Sequence, residues 1–315
     1  MYTREMFLFT GNANRALATS ICDYLDVPLG DASVSRFPDG ELNVKVNQDV
    51  RGADTFVVQP TCPPVNDNLM ELLLLIDCLR RASADRVTAV LPYYGYARKD
   101  RKDEGRVPIT AKLVANLIAE AGAHRVVAVD LHATQIQGFF DIPTDHLYSE
   151  PILVRHFLQD PHDDLVVVSP DVGGIKLARA YAEHLRAGLA VVDKRRTSPE
   201  ETETDFFIGD VHGKRVLLVD DMIATAGSVA KAASLLKGEG ATSIQVAATH
   251  PVFCGPALER LAAAPVDRIT VTDTIPLHDE YRAIPVTVVS VASLLGEAIR
   301  RIHFNESVSS LFHLA

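Results

Sequence analysis

The chain is short of several things at once, and each shortage closes off a class of function. It has 4 cysteines in 315 residues, and Cys22, Cys62, Cys78 and Cys254 stand far apart with no CxxC spacing. That excludes a zinc site or a disulfide framework and leaves the thiols as small buried hydrophobes. No uninterrupted apolar run approaches the roughly 18 residues that a membrane-spanning helix needs. The first residues, MYTREMFLFTGNANR, carry charges at Arg4 and Glu5 and only a short apolar run before polar residues, so no signal-peptide core is expected. The expectation is a cytoplasmic protein with no membrane partner. Positive charge is in deficit, with 31 Lys and Arg against 41 Asp and Glu and a formal net charge of -10. Affinity for a phosphate backbone needs a basic face, so nucleic acid is not an expected partner. An anionic small molecule must instead meet Arg and Lys concentrated locally. No GxxxxGK[ST] string occurs, and VGGIK does not fit that spacing, so a P-loop is excluded as well.

What is present is a sizeable apolar fraction, 47% of the residues, enough for about two domains. Short β-branched runs (FVVQP, RVTAVLPY, RVVAVDL, LVVVSPD, GLAVVD, RVLLVDD, SIQVAATH, RITVTD) alternate with amphipathic helical stretches. Near-continuous apolar strands of this kind belong to parallel sheets covered on both faces, which makes the fold class α/β. Thr110 is placed to cap a helix through Leu113, Val114, Leu117 and Ile118 that stops near Gly122. Self-similarity at an offset of 160 residues lays FLFTGNANRALATSICDYLDVPL, from Phe7, over VVSPDVGGIKLARAYAEHLRAGL, from Val167. It also lays TFVVQPT, from Thr55, over RVLLVDD, from Arg215. We read this as an internal duplication, with the boundary near Leu147 to Pro151. The copies differ where chemistry would be, Asp220-Asp221 in the second against Gln59-Pro60-Thr61 in the first.

Residues 215 to 228, RVLLVDDMIATAGS, combine a buried strand, two carboxylates at its carboxyl end, and Thr225-Ala226-Gly227-Ser228 opening a helix. Ligands of open α/β sheets bind at the carboxyl ends of strands. Exposed amides and the dipole at a helix N-terminus favour a phosphate there, with hydroxyls adding donors and glycine allowing close approach. Asp220 and Asp221 sit too close to that phosphate to bind it, but are placed to accept from a ribose diol. The plainer account is a helix cap beside two solvated acids. The string resembles the phosphoribosyl diphosphate (PRPP) motif shared by type I phosphoribosyltransferases and ribose-phosphate pyrophosphokinases. The resemblance implies two similar parallel-sheet domains of the type I phosphoribosyltransferase fold, 1–148 for ATP recognition and oligomer contacts and 149–315 for the sugar loop and catalytic loop. It assigns Asp220 and Asp221 to the ribose hydroxyls and Thr225, Ala226, Gly227 and Ser228 to the 5-phosphate. Ala224 stands where many of the pyrophosphokinases carry Asp.

Four further strings resemble the pyrophosphokinases in particular. Phe37-Pro38-Asp39-Gly40-Glu41 is similar to that family's adenine-recognition loop, in which an aromatic face stacks on the purine and carboxylates accept from its amino group; by itself FPDGE also reads as a turn. PYYGYARKDRK, from Pro92, packs Arg98, Lys99, Arg101 and Lys102 into five positions. Arg98 suits bidentate contact with ATP phosphates, and Lys99 occupies a place where Gln is frequent. In VVAVDLHATQIQGFFDIPTDHLY the resemblance makes His132 a contact to the Mg-ATP phosphates. It makes Asp171, in SPDVGG, a ligand of Mg²⁺, direct or through water, beside glycines whose amides cradle phosphate. Lys194 and Arg196, in DKRRTSPEETETDF, match a catalytic loop that closes over ATP.

The implied reaction is attack of the anomeric oxygen of ribose 5-phosphate on the β-phosphorus of ATP, giving PRPP and AMP, by alignment and charge neutralisation with no general base. The resemblance also implies a homohexamer or smaller symmetric homo-oligomer. Its effector site would draw on Arg51, Gln137, Asp145 and the tail SVSSLF, where Asp49 and His146 depart from the expected Ser and Asn. Two other readings bear comparison. A phosphoribosyltransferase would share RVLLVDDMIATAGS but lack FPDGE, PYYGYARKDRK and DLHATQIQGFF. A catalytically silent regulatory relative would have lost the catalytic loop, whereas Lys194 and Arg196 are intact.

Overall fold

The computed structural model describes residues 4–160, 164–195 and 204–312 and divides into two compact units. The first unit takes in Met1–Tyr148, Thr274–Pro276 and Ser290–Ala315, and the second Ser149–Asp273 and Leu277–Val289. The first begins β1 (Met6–Thr10), α1 (Arg15–Leu25), β2 (Ala32–Arg36), β3 (Leu42–Val46), β4 (Asp54–Val58) and α2 (Val65–Arg81). It continues β5 (Arg86–Leu91), α3 (Thr110–Ala121), β6 (Arg125–Val129) and β7 (Thr144–Leu147). Five strands form a parallel sheet in the order β1-β4-β5-β6-β7, and β2-β3 is a separate antiparallel hairpin.

The second unit runs α4 (Glu150–Phe157), β8 (Leu165–Ser169), α5 (Ile175–Leu185), β9 (Gly188–Arg195), β10 (Thr204–Ile208) and β11 (Arg215–Ile223). There follow α6 (Gly227–Gly238), β12 (Ser243–Pro251), α7 (Ala257–Ala263), β13 (Arg268–Thr272) and β14 (Val286–Val289). Its sheet has the order β10-β9-β8-β11-β12-β13-β14, parallel apart from β10. Without the β9-β10 hairpin, β8-β11-β12-β13-β14 repeats the first order strand for strand. The duplication read from the 160-residue offset is therefore present in the topology.

The apolar runs became strands because both faces are covered: all of β4 is buried, and in β5, β6 and β8 only the first residue is partly exposed. On α2, Leu72, Leu75, Ile76 and Leu79 recur at helical spacing and are each 0% exposed. Such side chains contribute about 1.5–3 kcal/mol apiece. Val229, Ala232, Ala233 and Leu236 of α6 do the same in the second core. Gly122 ends α3 as expected, at φ 115°. Thr110 does not cap it: its hydroxyl donates to Tyr96 O at 2.9 Å. The buried stripe of α3 is Ala111, Val114, Ala115 and Ile118, which leaves Leu113 and Leu117 exposed.

The C-terminal segment departs from the expected second domain of 149–315, because 290–315 belongs to the first unit. Helix α8 (Ala292–His303) buries Leu294, Leu295, Ala298, Ile299 and Ile302 and packs along α1. A Cβ at Gly296 would come within 2.4 Å of the Tyr24 ring, so only glycine permits this approach. An amphipathic helix carries no address in its sequence, which is why the expectation left it with its chain neighbours. The end of α8 is also pinned electrostatically. Asp54, 0% exposed, accepts from Arg86 Nε at 2.7 Å and lies 2.8 Å from His303 Nδ1, while Arg86 Nη2 donates to Ile302 O at 2.9 Å. Arg86→Met strands a buried carboxylate, and about 3 kcal/mol of stability should be lost. Calorimetric melting showing an unchanged Tm would contradict this.

Candidate active site

In the second unit the chemistry-bearing residues gather at the carboxyl edge of three neighbouring strands, β9, β8 and β11. The ladder between β8 and β11 ends at Val168 and Leu218, while β11 continues along β12 to Ile223. Asp220 and Asp221 thus lie past the end of β8, on a stretch of strand that is still held on its other side. They are half-buried, and the Asp221 N–H donates to Asp220 Oδ1 at 2.9 Å. Ala226 follows in the left-handed region, φ 58° and ψ 9°, and α6 starts at Gly227. A non-glycine residue there costs about 1–2 kcal/mol, a local strain of the kind found where a ligand is gripped. Thr225 and Ser228 are exposed at the mouth of the loop.

Burial, then the charge and hydrogen bond of Asp221, then the charge of Asp171 push the Asp220 carboxyl up to about 8. The shift places Asp171, from the loop after β8, within electrostatic reach of the pair. The consequence for stability has a definite sign. Between about pH 4 and about 8 the folded chain holds a proton that the unfolded chain has released, so stability falls as pH rises across that window. Asp220→Asn cannot ionise. Its melting temperature in the ligand-free state should gain on the parent chain as pH goes from 5 to 9, and a constant difference across that range would count against the carboxyl's raised value.

Asp171 is itself organised. Its Oδ1 accepts the Gly174 N–H at 3.0 Å, and the Ser169 hydroxyl donates to its carbonyl at 2.6 Å. A Cβ at Gly174 would lie 2.7 Å from Ser169 Oγ, so the glycine is needed for the loop to close on itself. Lys194 is described through its backbone alone: it pairs with Asp205 in the β9-β10 hairpin, three residues beyond the Ser169–Val191 pairing that ends the β8 ladder. Arg196 lies outside the described residues.

The other expected site residues belong to the first unit. Phe37, Asp39 and Glu41 sit at the tip of the β2-β3 hairpin, all exposed. The Phe37 N–H donates to Glu41 O at 2.8 Å, and the Gly40 N–H to Phe37 O at 2.9 Å with Gly40 at φ 95°. FPDGE is therefore a tight turn that holds an aromatic ring, 49% exposed, out to solvent. Arg98 follows β5 and is exposed. Lys99 is tied to Asp103 at 2.8 Å, an i,i+4 pair that holds its ammonium proton more firmly. His132 follows β6 and is exposed. Its segment joins the Arg98 loop through Gln135 Nε2, which donates to Asp100 at 2.6 Å.

The unexpected His146 has a structural task, since its Nε2 accepts the Leu131 N–H at 2.9 Å, next to His132. Asp145 is engaged by Arg125, and Asp49 accepts the Arg51 N–H at 3.0 Å.

The first unit's counterpart of the Asp171 loop is filled from within. Glu71 accepts from Asn12 N at 2.8 Å, Asn12 Nδ2 at 2.8 Å and Gln59 Nε2 at 3.0 Å. Its carboxylate presses so close that a Cβ on Gly11 would be 2.6 Å away. Sequence reading missed Glu71 and also Arg260, whose Nη1 donates to Thr225 O at 3.1 Å. Each reaches its partner through the fold rather than through a motif. For Glu71 the available signal was an acid among the apolar residues of a helix.

Two family models match the chain: the N-terminal domain of ribose phosphate pyrophosphokinase over residues 6–122 and a phosphoribosyl synthetase-associated domain over 205–313. A ribose-phosphate pyrophosphokinase of Rhodopirellula baltica is 56% identical over 312 residues, covering 98% of this chain and 99% of its own. The enzyme of that name from Thermotoga maritima is 54% identical over 314 residues, 99% of each chain. Among solved structures, the crystal structure of phosphoribosylpyrophosphate synthetase from Mycobacterium smegmatis superposes with a TM-score of 0.91 at 43% identity, over 96% of this chain and 100% of that one.

Proposed function

The chain belongs to the ribose-phosphate pyrophosphokinase family, and from that premise we infer that it transfers diphosphate from ATP to the anomeric oxygen of ribose 5-phosphate, giving PRPP and AMP. The observation that carries the reading to particular residues is the carboxylate pair near the end of β11, separated by three residues from the loop that opens α6. Asp220 and Asp221 accept from the ribose hydroxyls, and charge-assisted acceptance is the strong kind. The loop from Thr225 to Ser228 holds the 5-phosphate on its amides and hydroxyls. Lys194 and Arg196 neutralise charge that develops on the transferring phosphates. Phe37, Asp39, Glu41, Arg98 and Lys99 select ATP, with the exposed Phe37 ring stacking on adenine. The tie from Lys99 to Asp103 must loosen if Lys99 is to reach phosphate.

Mg²⁺ is the cofactor we assign. The fit lies in the carboxyl edge of the second sheet, where Asp171, Asp221 and Asp220 crowd closely enough to raise Asp220; a divalent cation relieves that repulsion. Asp171 uses one oxygen on Gly174 and keeps the other for the metal or its water; His132 is the further ligand that we assign. A small cation of this kind would be bound through one or two side chains, substrate phosphates and water. When bound, the ion supplies charge neutralisation on the phosphates.

In this reading the filled Glu71 turn leaves the sugar phosphate a single site per chain, within 149–315, while 1–148 serves ATP. We also take the chain to be cytoplasmic and a homohexamer or smaller symmetric homo-oligomer; no helix among the described residues is long and apolar enough to cross a membrane. AMP released from ATP in strict dependence on ribose 5-phosphate supports the assignment. Diphosphate released from PRPP in dependence on a base would replace it with a transferase.

A further inference from the structure

A loop that presents its amides to an anion needs its carbonyls satisfied on the opposite side, because buried or half-buried peptide groups do not stay unpaired. Behind the Thr225–Ser228 loop that duty falls to one segment. Ile223 O accepts from Phe253 N at 2.9 Å and Ala224 O from Cys254 N at 2.9 Å. The next carbonyl, of Thr225, accepts from a side chain, Arg260 Nη1, at 3.1 Å. The same nitrogen lies 3.2 Å from where a Cβ on Gly227 would stand, so the guanidinium packs tightly against that glycine.

We propose that Arg260 is a positioning residue for the sugar phosphate: by holding the Thr225 carbonyl it aims the neighbouring amide at the ligand. The geometry follows from the trans peptide. The Thr225 C=O and the Ala226 N–H belong to one planar unit and point in opposite directions. Fixing the carbonyl toward Arg260 therefore turns the Ala226 amide away from it, to the open face of the loop. Ala226 needs such a fixture, since at φ 58° its backbone is strained and would otherwise relax. The arm that carries Arg260 is itself rigid. Ala257 and Leu261 bury the base of α7, while Phe253 stacks on Tyr281 with ring centres 4.6 Å apart and accepts the Tyr281 hydroxyl at 3.0 Å. The guanidinium also adds a fixed positive charge behind a site for a dianion, in a chain of net charge -10.

This inference rests on reading the loop as the 5-phosphate site, so its test carries a control for that reading. Arg260→Met keeps the stem and removes the donor, and Arg260→Lys restores charge and one donor. Steady-state kinetics of the full chain should show KM for ribose 5-phosphate raised about 5- to 30-fold in Arg260→Met, with KM for ATP and Tm unchanged and part of the loss recovered in Arg260→Lys. An unchanged KM for the sugar phosphate would overturn the role. So would KM values for both substrates that rise together with a fall in Tm equal in the two variants. If Asp220→Asn/Asp221→Asn loses the sugar phosphate while Arg260→Met does not, Arg260 alone is dismissed; if neither variant affects it, the loop assignment falls too.

Discussion

Replacing Asp220 and Asp221 together by alanine should lower kcat/KM for ribose 5-phosphate by about 10²- to 10⁴-fold while leaving ATP affinity, measured directly by calorimetry, nearly intact. The magnitude follows from two charge-assisted hydrogen bonds, each worth about 1.5–3 kcal/mol, at about 1.4 kcal/mol per factor of ten. The separation of the two substrates follows from place: both carboxylates lie near the end of β11, just before the loop that opens α6, whereas the residues proposed to select ATP belong to the first unit. The same substitution should make the ligand-free chain harder to melt above neutral pH, because it removes the crowding that drives the Asp220 carboxyl up to about 8. Activity lost and stability gained in one variant is the signature of a site assembled against local electrostatics. Double-alanine protein that forms AMP at the parental rate, with parental KM for the sugar phosphate, would remove the pair from the site.

Those acids were legible in the sequence because strand, carboxylate pair and small-residue loop are contiguous, so that chain order and spatial order coincide. The sheets were legible for a related reason. Runs such as RVTAVLPY and RVVAVDL are apolar on both faces, and that pattern has one stable setting, between two layers. Reading failed where a residue's partner lies far along the chain. Helix α8 shows an apolar stripe in its sequence, but that it lies on α1 depends on Gly296 admitting Tyr24, on Arg86 reaching Ile302 O and on Asp54 receiving His303, contacts spanning more than 200 residues. Thr110 had the right chemistry for a cap and found a better acceptor in Tyr96 O. Arg260 sits 35 residues beyond Thr225 in a helix with no distinguishing spacing. Glu71 closes the first unit's turn by reaching across to Asn12 and Gln59; the divergence of Gln59-Pro60-Thr61 from Asp220-Asp221 showed that the copies differ, and the carboxylate that fills the gap came from a neighbouring helix.

Lys194→Ala is expected to reduce kcat by about 10³- to 10⁵-fold, the range found when a cation is withdrawn from a phosphoryl group in flight, with little change in the dissociation constant for ATP. β9 adjoins β8, whose loop carries Asp171, and β8 adjoins β11, which carries Asp220 and Asp221. Lys194 stands three residues past the last β8 pairing, so its backbone emerges at the same edge as those acids. An edge where the charges of Asp221 and Asp171 raise the Asp220 carboxyl does not by itself attract a polyphosphate. The field there must be reversed by cations supplied for the reaction, and a lysine on the neighbouring strand end is the residue proposed to deliver one. A contact made only as charge moves to the leaving phosphate is lost from turnover rather than from ground-state binding. Single-turnover measurements separate the two. A Lys194→Ala protein with near-normal kcat, or one whose defect lies wholly in ATP affinity, would take the residue out of the transfer step and leave the phosphates to be neutralised by Mg²⁺ and Arg196.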